Sequence, residues 1–290
     1  MINATSELAQ RFWAEGRLAD CPILDFHAHM HDWSGLFLPR RQPEDMLRTM
    51  DACNVVMALF CGHVTLSVPA ISPAGRPSAG EALDMQVVKR FPDRFRAYHV
   101  VMSNHLDPDS DLQRMEDHRD VFVGFKFHPD TYGVPLSDPR HEPYWRYADE
   151  RGLLVLSHTW GHSDKDGPEE VEKVLREYRN LVLVAGHSFH DEWERGPELV
   201  KRYPNLYLEL TAVLDNRGAL DMIVERCGSE RILFGTDLPW FSTHHGIGAV
   251  LSAEMSDEDR RNVFYGNGEK VLRRFPWFEA VWSRGAPLGP

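Results

Sequence analysis

From Pro22 onward the chain alternates between short apolar runs and amphipathic stretches. The runs are Pro22–Phe26, Asn54–Phe60, Phe95–Val101 and Val121–Phe127, then Leu153–Ser157, Leu181–Gly186, Leu206–Leu210 and Arg231–Gly235. Each is rich in Val, Ile, Leu or Phe and bounded by turn residues, the signature of strands buried on both faces. Between them, helical periodicity covers Glu44–Ala52, Gly80–Arg90, Asp109–Arg119 and Glu142–Glu150. It returns over Pro168–Tyr178, Glu192–Arg202, Gly218–Cys227 and Asp257–Tyr265. Several of these windows open on Pro or acidic residues and close on basic ones, as the helix macrodipole favours; Gly167-Pro168-Glu169-Glu170 is such a start. Strict strand–helix alternation implies parallel strands joined by right-handed crossovers. Eight units predict an α/β fold, a single closed (β/α)8 TIM-type barrel. The alternative is an open doubly wound sheet, whose dinucleotide-binding version is disfavoured because no Gly-rich loop follows the first run.

Length agrees with one domain. The chain has 290 residues, and α/β barrels run to about 250 as a single unit. One domain over 1–290 is expected, with a core at about 22–272, an N-terminal extension over 1–21 and a C-terminal tail over 273–290. The net charge of -12 argues against a nucleic-acid partner. No apolar stretch approaches the ~20 residues of a membrane helix, and the first residues lack the cationic start and apolar run of a secretory leader. Cys21, Cys53, Cys61 and Cys227 are scattered without a CxxC pair, which predicts reduced thiols and a cytoplasmic protein.

The 15 histidines change the picture through their positions. The first run ends in DFHAHM, so Asp25, His27 and His29 alternate onto one face of a strand. His158 closes the fifth run, His187 the sixth and Asp237 the eighth, each above a column of apolar or small residues. Barrel enzymes carry their sites at this C-terminal rim. Five such groups buried together without a shared ion would be hard to satisfy. Imidazole and carboxylate ligands suit zinc, which lowers the pKa of bound water toward about 7, although imidazole also suits iron, nickel and copper. Asp25 is expected to accept a hydrogen bond from a ligand imidazole.

With these residues in view, the chain resembles the amidohydrolase superfamily, in the amidohydrolase-related branch that includes aminocarboxymuconate-semialdehyde decarboxylase and the resorcylate decarboxylases. The resemblance runs from about Ile23 to Leu272 and rests on DFHAH, GFKFHP, LSHTW, AGHS and RILFGTDLPW in that order. It implies that His27, His29, His158 and Asp237 bind the metal, that Asp237 also shuttles protons, and that His187 is a catalytic acid or base. In two-metal relatives a carboxylated lysine closes the fourth strand, and Lys126 holds that position with His128 two residues on. One Zn2+ is the expected cofactor, or two if Lys126 is carboxylated and His187 binds the second ion. A homodimer is the family expectation.

Loop residues expected near the pocket are Trp33, His63, Asn104, Tyr132, Trp160, His162, His190, Glu209, Trp240 and Phe241, with Lys126 catalytic and Trp160, Tyr132, His128 and Trp240 touching substrate. The aromatics suit a ring-containing small molecule. Glu209, a carboxylate inside an apolar run, must be paired. Arg40, Arg140 and Arg217 are candidates for an acidic substrate. Metal-assisted hydrolysis of a small amide, lactone or ester is the first functional expectation. Non-oxidative decarboxylation of an aromatic or unsaturated acid is the second, and a non-catalytic metal-binding barrel the third.

Overall fold

In the computed structural model, residues 6–33, 35–71 and 77–282 are described; residues 1–5 of the expected extension and 283–290 of the expected tail lie outside them. Every predicted run forms a strand: β1 (Ile23–Met30), β2 (Val55–Gly62), β3 (Phe95–Val100), β4 (Phe122–Phe127), β5 (Leu154–Trp160), β6 (Val182–His190), β7 (Leu206–Glu209) and β8 (Ile232–Leu233). They pair in sequence order, all parallel. β1 and β6 run past the predicted ends through polar residues, all of them buried except His190. Apolar periodicity stops at the first histidine, whereas the strand does not.

The helices are α1 (Glu7–Glu15), α2 (Pro43–Cys53), α3 (His63–Ile71), α4 (Pro77–Arg90), α5 (Pro108–Asp117), α6 (Pro129–Tyr132) and α7 (Glu142–Arg151). They continue with α8 (Pro168–Glu177), α9 (Arg195–Arg202), α10 (Ala219–Cys227), α11 (Thr243–Ser252), α12 (Asp257–Arg261), α13 (Asn267–Leu272) and α14 (Pro276–Trp282). All eight predicted windows are helical. Asp257–Tyr265 continues through a π turn at Asn262–Gly266 into α13. None of the described helices is long and apolar enough to cross a membrane.

Hydrogen bonds from β1 to the segment after β8 close the barrel. Phe26 N donates to Phe234 O (2.9 Å), Asp237 N to His27 O (2.7 Å) and His29 N to Leu238 O (2.7 Å). The open-sheet alternative therefore falls. Two local departures from regular pairing aim side chains at the mouth. In β4 the register shifts opposite Ala97–Tyr98, and Gly124 adopts φ 153°, where an added Cβ would lie 1.7 Å from Leu154 O; only glycine fits there. In β6 the backbone turns left-handed over His187, Ser188 and Phe189 (φ 70°, 50° and 61°).

The end of β2 is held by Asp84 of α4. Its Oδ2 accepts from Gly62 N (3.0 Å) and Thr65 Oγ1 (2.8 Å), while Oδ1 has no partner. Burial pushes the carboxyl pKa up to about 7. The native chain thus keeps a proton that the unfolded chain releases near pH 4, so this group's share of stability is whole below that pH and is lost as pH climbs toward 7. Asp84→Asn should remove that decline. Thermal midpoints of both proteins from pH 4.5 to 7.5 check it, and parallel curves would refute the assignment.

Candidate metal centre

Four imidazoles converge at the C-terminal mouth. Ring centroids are 5.2 Å apart for His27–His29, 5.1 Å for His27–His187 and 4.7 Å for His158–His187. Asp237 Oδ1 lies 2.9 Å from His29 Nε2 and 3.6 Å from His27 Nε2. His27, His29 and Asp237 each offer one donor atom within 4.8 Å of the others, a group that could hold a metal ion. His158 stands outside that group, one ring beyond His187.

Each of the four rings presents Nδ1 to an acceptor behind it. His27 Nδ1 meets Glu209 Oε2 (2.9 Å), His29 Nδ1 meets Cys61 O (3.0 Å), His158 Nδ1 meets Asp166 Oδ2 (2.8 Å) and His187 Nδ1 meets Thr211 O (3.3 Å). A carbonyl or carboxylate oxygen only accepts, so the proton sits on Nδ1 in all four. The Nε2 atoms are left to face the mouth, as ligand histidines require.

The electrostatics favour a cation there. Lys126 is buried, which lowers its pKa, and its Nζ lies 3.0 Å from His27 Nε2, so a hydrogen-bond donor already stands against that lone pair. Asp237 Oδ1 is buried, with His29 Nε2 its nearest ring nitrogen. Burial opposes ionisation of Asp237, but the fields of His27 and His29 and the His29 hydrogen bond outweigh it and hold the carboxyl well below the usual range. Burial and the Lys126 charge keep His27 neutral, and burial with the neighbouring imidazoles does the same for His187. Against burial, Cys61 and Asp237 push His29 up to about 10, so it is the charged ring of the metal-free site. With its Nε2 proton displaced, the imidazoles and the Asp237 carboxylate form a donor set suited to a divalent ion.

Several expectations need correction. Asp25 touches no imidazole. Its Oδ1 accepts from His27 N (3.0 Å) and Thr236 N (3.2 Å), and Oδ2 from Thr236 Oγ1 (2.5 Å), so it secures the barrel seam. The column assigned beneath His187 is also wrong. Gly186, which abuts His27 and Leu156, is the interior position, and His187 enters only through the left-handed turn. Tyr132 spends its hydroxyl on Leu66 O (2.9 Å). His128 caps α6 through Thr131 N and stacks on His158 at 4.2 Å.

Two aromatic walls flank the mouth. His128, His158, Trp160 and His190 form a parallel stack. Opposite, Trp33, His63 and Trp240 pack edge to face, with Trp240 Nε1 donating to His63 Nε2 (2.9 Å) and His63 stacked on His29. Arg40 lines a cleft beside Trp240 and Phe241, Arg217 lines another near Leu214, and Arg140 is exposed and paired with Asp138; His162 is exposed and faces Glu192, and Asn104 is exposed. Sequence reasoning missed Asp166, Thr211 and Thr236, which hold the site from behind.

The family model described as amidohydrolase matches residues 24–274. The chain belongs to the amidohydrolase family. No curated protein matches it. Among solved structures, an uncharacterised TIM-barrel protein from Bordetella bronchiseptica is 18% identical with a TM-score of 0.71, covering 87% of this chain and 99% of that one. A 2,6-dihydroxybenzoate decarboxylase from Rhizobium is 17% identical with a TM-score of 0.68, at 87% and 99% coverage. A 5-carboxyvanillate decarboxylase from Novosphingobium aromaticivorans, complexed with manganese and 4-hydroxy-3-methoxy-5-nitrobenzoic acid, is 14% identical with a TM-score of 0.63, at 88% and 97% coverage. At these identities the likeness establishes the shared barrel.

Within this amidohydrolase, Glu209 is the most heavily used carboxylate behind the mouth. It accepts from His27 Nδ1, His187 N, Thr211 N and Thr211 Oγ1. Glu209→Gln turns one acceptor into a donor and strands at least one buried partner, which should cost about 1–3 kcal/mol. Urea unfolding checks this; an unchanged midpoint would contradict it.

Proposed function

We propose that this amidohydrolase carries out metal-dependent, non-oxidative decarboxylation of an aromatic carboxylic acid. The observation that carries the reading is Lys126, an amine only 1% exposed that forms no ion pair with any described carboxylate and whose pKa burial lowers. A buried cation without an anion is costly. A substrate carboxylate would supply that anion, whereas the neutral amide, lactone or ester first expected from the sequence would not. The solved barrels named for decarboxylation of dihydroxybenzoate and carboxyvanillate support the same choice, as do the two aromatic walls. Decarboxylation therefore replaces hydrolysis as the leading reading.

His27, His29 and Asp237, completed by His158 from β5, would hold one divalent ion. Three imidazoles and a carboxylate accept manganese as well as zinc, and manganese accompanies the carboxyvanillate enzyme. When bound, the ion would supply Lewis-acid neutralisation of negative charge on the substrate. One ion is proposed because Lys126 is read as uncarboxylated and Glu209 is committed to His27 and Thr211.

The chain's own groups then divide the work. Lys126 Nζ holds the substrate carboxylate, and the stacked wall through Trp160 faces the ring. Asp237, ionised in the resting site and with its side chain 14% exposed, takes a proton from solvent at the mouth and passes it to the carbon bearing the carboxylate. The bond between that carbon and the carboxylate breaks, its electron pair returns to the ring, and carbon dioxide leaves. One solvent proton is consumed per turnover, relayed back through His187 or the open mouth.

Carbon dioxide release from a panel of hydroxybenzoates, run beside lactone and amide hydrolysis, tests the reading. Release should vanish on chelation and return with Mn2+ or Zn2+. Asp237→Asn should lower turnover roughly 10²–10⁴-fold with folding intact. Lys126→Met should lower kcat/KM on the order of 10–100-fold, the worth of a charge-assisted hydrogen bond. Hydrolysis without carbon dioxide release would overturn the assignment.

A further inference from the structure

We propose that Asp166 is the positioning residue that selects a single orientation and tautomer of His158. The His158 ring lies between His128 (4.2 Å, 15° between planes) and Trp160 (5.3 Å, 10°). Stacking of this kind fixes the plane of a ring but not its sense. A half-turn about the Cβ–Cγ bond preserves both stacks while exchanging Nδ1 with Cδ2 and Nε2 with Cε1. In the flipped state the carbons take the places of the nitrogens, and the lone pair no longer faces the mouth.

Asp166 removes that degeneracy. It is fully buried, at 0% exposure, and both oxygens are committed: Oδ2 to His158 Nδ1 (2.8 Å) and Oδ1 to Trp160 N (3.2 Å). The second contact ties the carboxylate to the backbone of β5 itself, two residues beyond the histidine it serves. The intervening turn holds the carboxylate in place, since Asp166 N donates to Ser163 Oγ (3.2 Å), Ser163 N to Trp160 O (3.2 Å) and Gly161 N to His190 O (2.9 Å). Only the unflipped ring offers Nδ1–H to Oδ2, so the carboxylate fixes both the sense of the ring and the nitrogen that carries the proton.

An asparagine here cannot reproduce this. Its single oxygen can serve His158 or Trp160 but not both, and its amide faces the other as donor against donor. Asp166→Asn should therefore change the tautomer with little change in shape. Long-range 1H–15N spectra of metal-free, 15N-labelled protein read it directly, with the His158 signals assigned by their loss in His158→Gln. Wild type should show the Nδ1–H form, and Asp166→Asn a predominant Nε2–H form. The part of the inference that rests on the proposed metal site is read separately. Affinity for Mn2+ or Zn2+, from chelator competition, should fall about 10–100-fold in Asp166→Asn and Asp166→Ala. If Asp166→Ala does not fold, the isosteric Asp166→Asn carries the test. Retention of the Nδ1–H form in folded Asp166→Asn, or an affinity within twofold of wild type, would overturn the proposal. A wild type that binds neither ion but shows the tautomer change would sink the metal reading and leave the role of Asp166 standing.

Discussion

The hydrogen bond behind each imidazole is the constraint on which the mouth of this barrel depends. His27, His29, His158 and His187 come from three strands, yet each has an oxygen behind Nδ1. Two of those oxygens belong to carboxylates and two to the backbone. The backbone acceptors need nothing more, whereas the carboxylates must be satisfied in their turn. Glu209 draws on Thr211 and His187 N, and Asp166 on Trp160 N. The mouth is thus a polar network in which buried groups are matched layer by layer, the condition under which such a network orders a site.

The charge balance follows from that network. With a proton fixed on the outer nitrogen of each ring, the Nε2 atoms line the mouth, where His29 meets Asp237 and His27 meets Lys126. The proposed reaction differs from hydrolysis mainly in how Lys126 is answered, because the imidazoles and Asp237 could serve either chemistry.

Much of this was legible in the sequence, and for identifiable reasons. Eight apolar runs became eight strands because burial on both faces leaves an unambiguous mark. The convergence of His27, His29 and Asp237 was legible because each ends such a run and the rim of a barrel gathers strand ends. What escaped detection has no periodic signal. His187 was named at the end of its run but given the wrong face, because it sits on a left-handed stretch that breaks the alternation, and the glycine bulge at Gly124 disturbs β4 in the same way. Asp25 looked like a partner for a ligand because it shares a strand with two, but the amides of His27 and Thr236 claimed one oxygen and the Thr236 hydroxyl the other. Asp166 lies in a turn whose residues read as ordinary loop, and only the folded path back to Trp160 reveals its task.

The seam that closes the barrel has one more consequence. His27 and His29 lie on the first strand and Asp237 just beyond the last, and backbone bonds such as Asp237 N to His27 O join the two. A cation gripped by these side chains would act as a clasp across the join, fastening the chain's opening strand to its closing one. Occupancy and fold integrity would then be thermodynamically linked, with the gain growing as the logarithm of free ion above its dissociation constant.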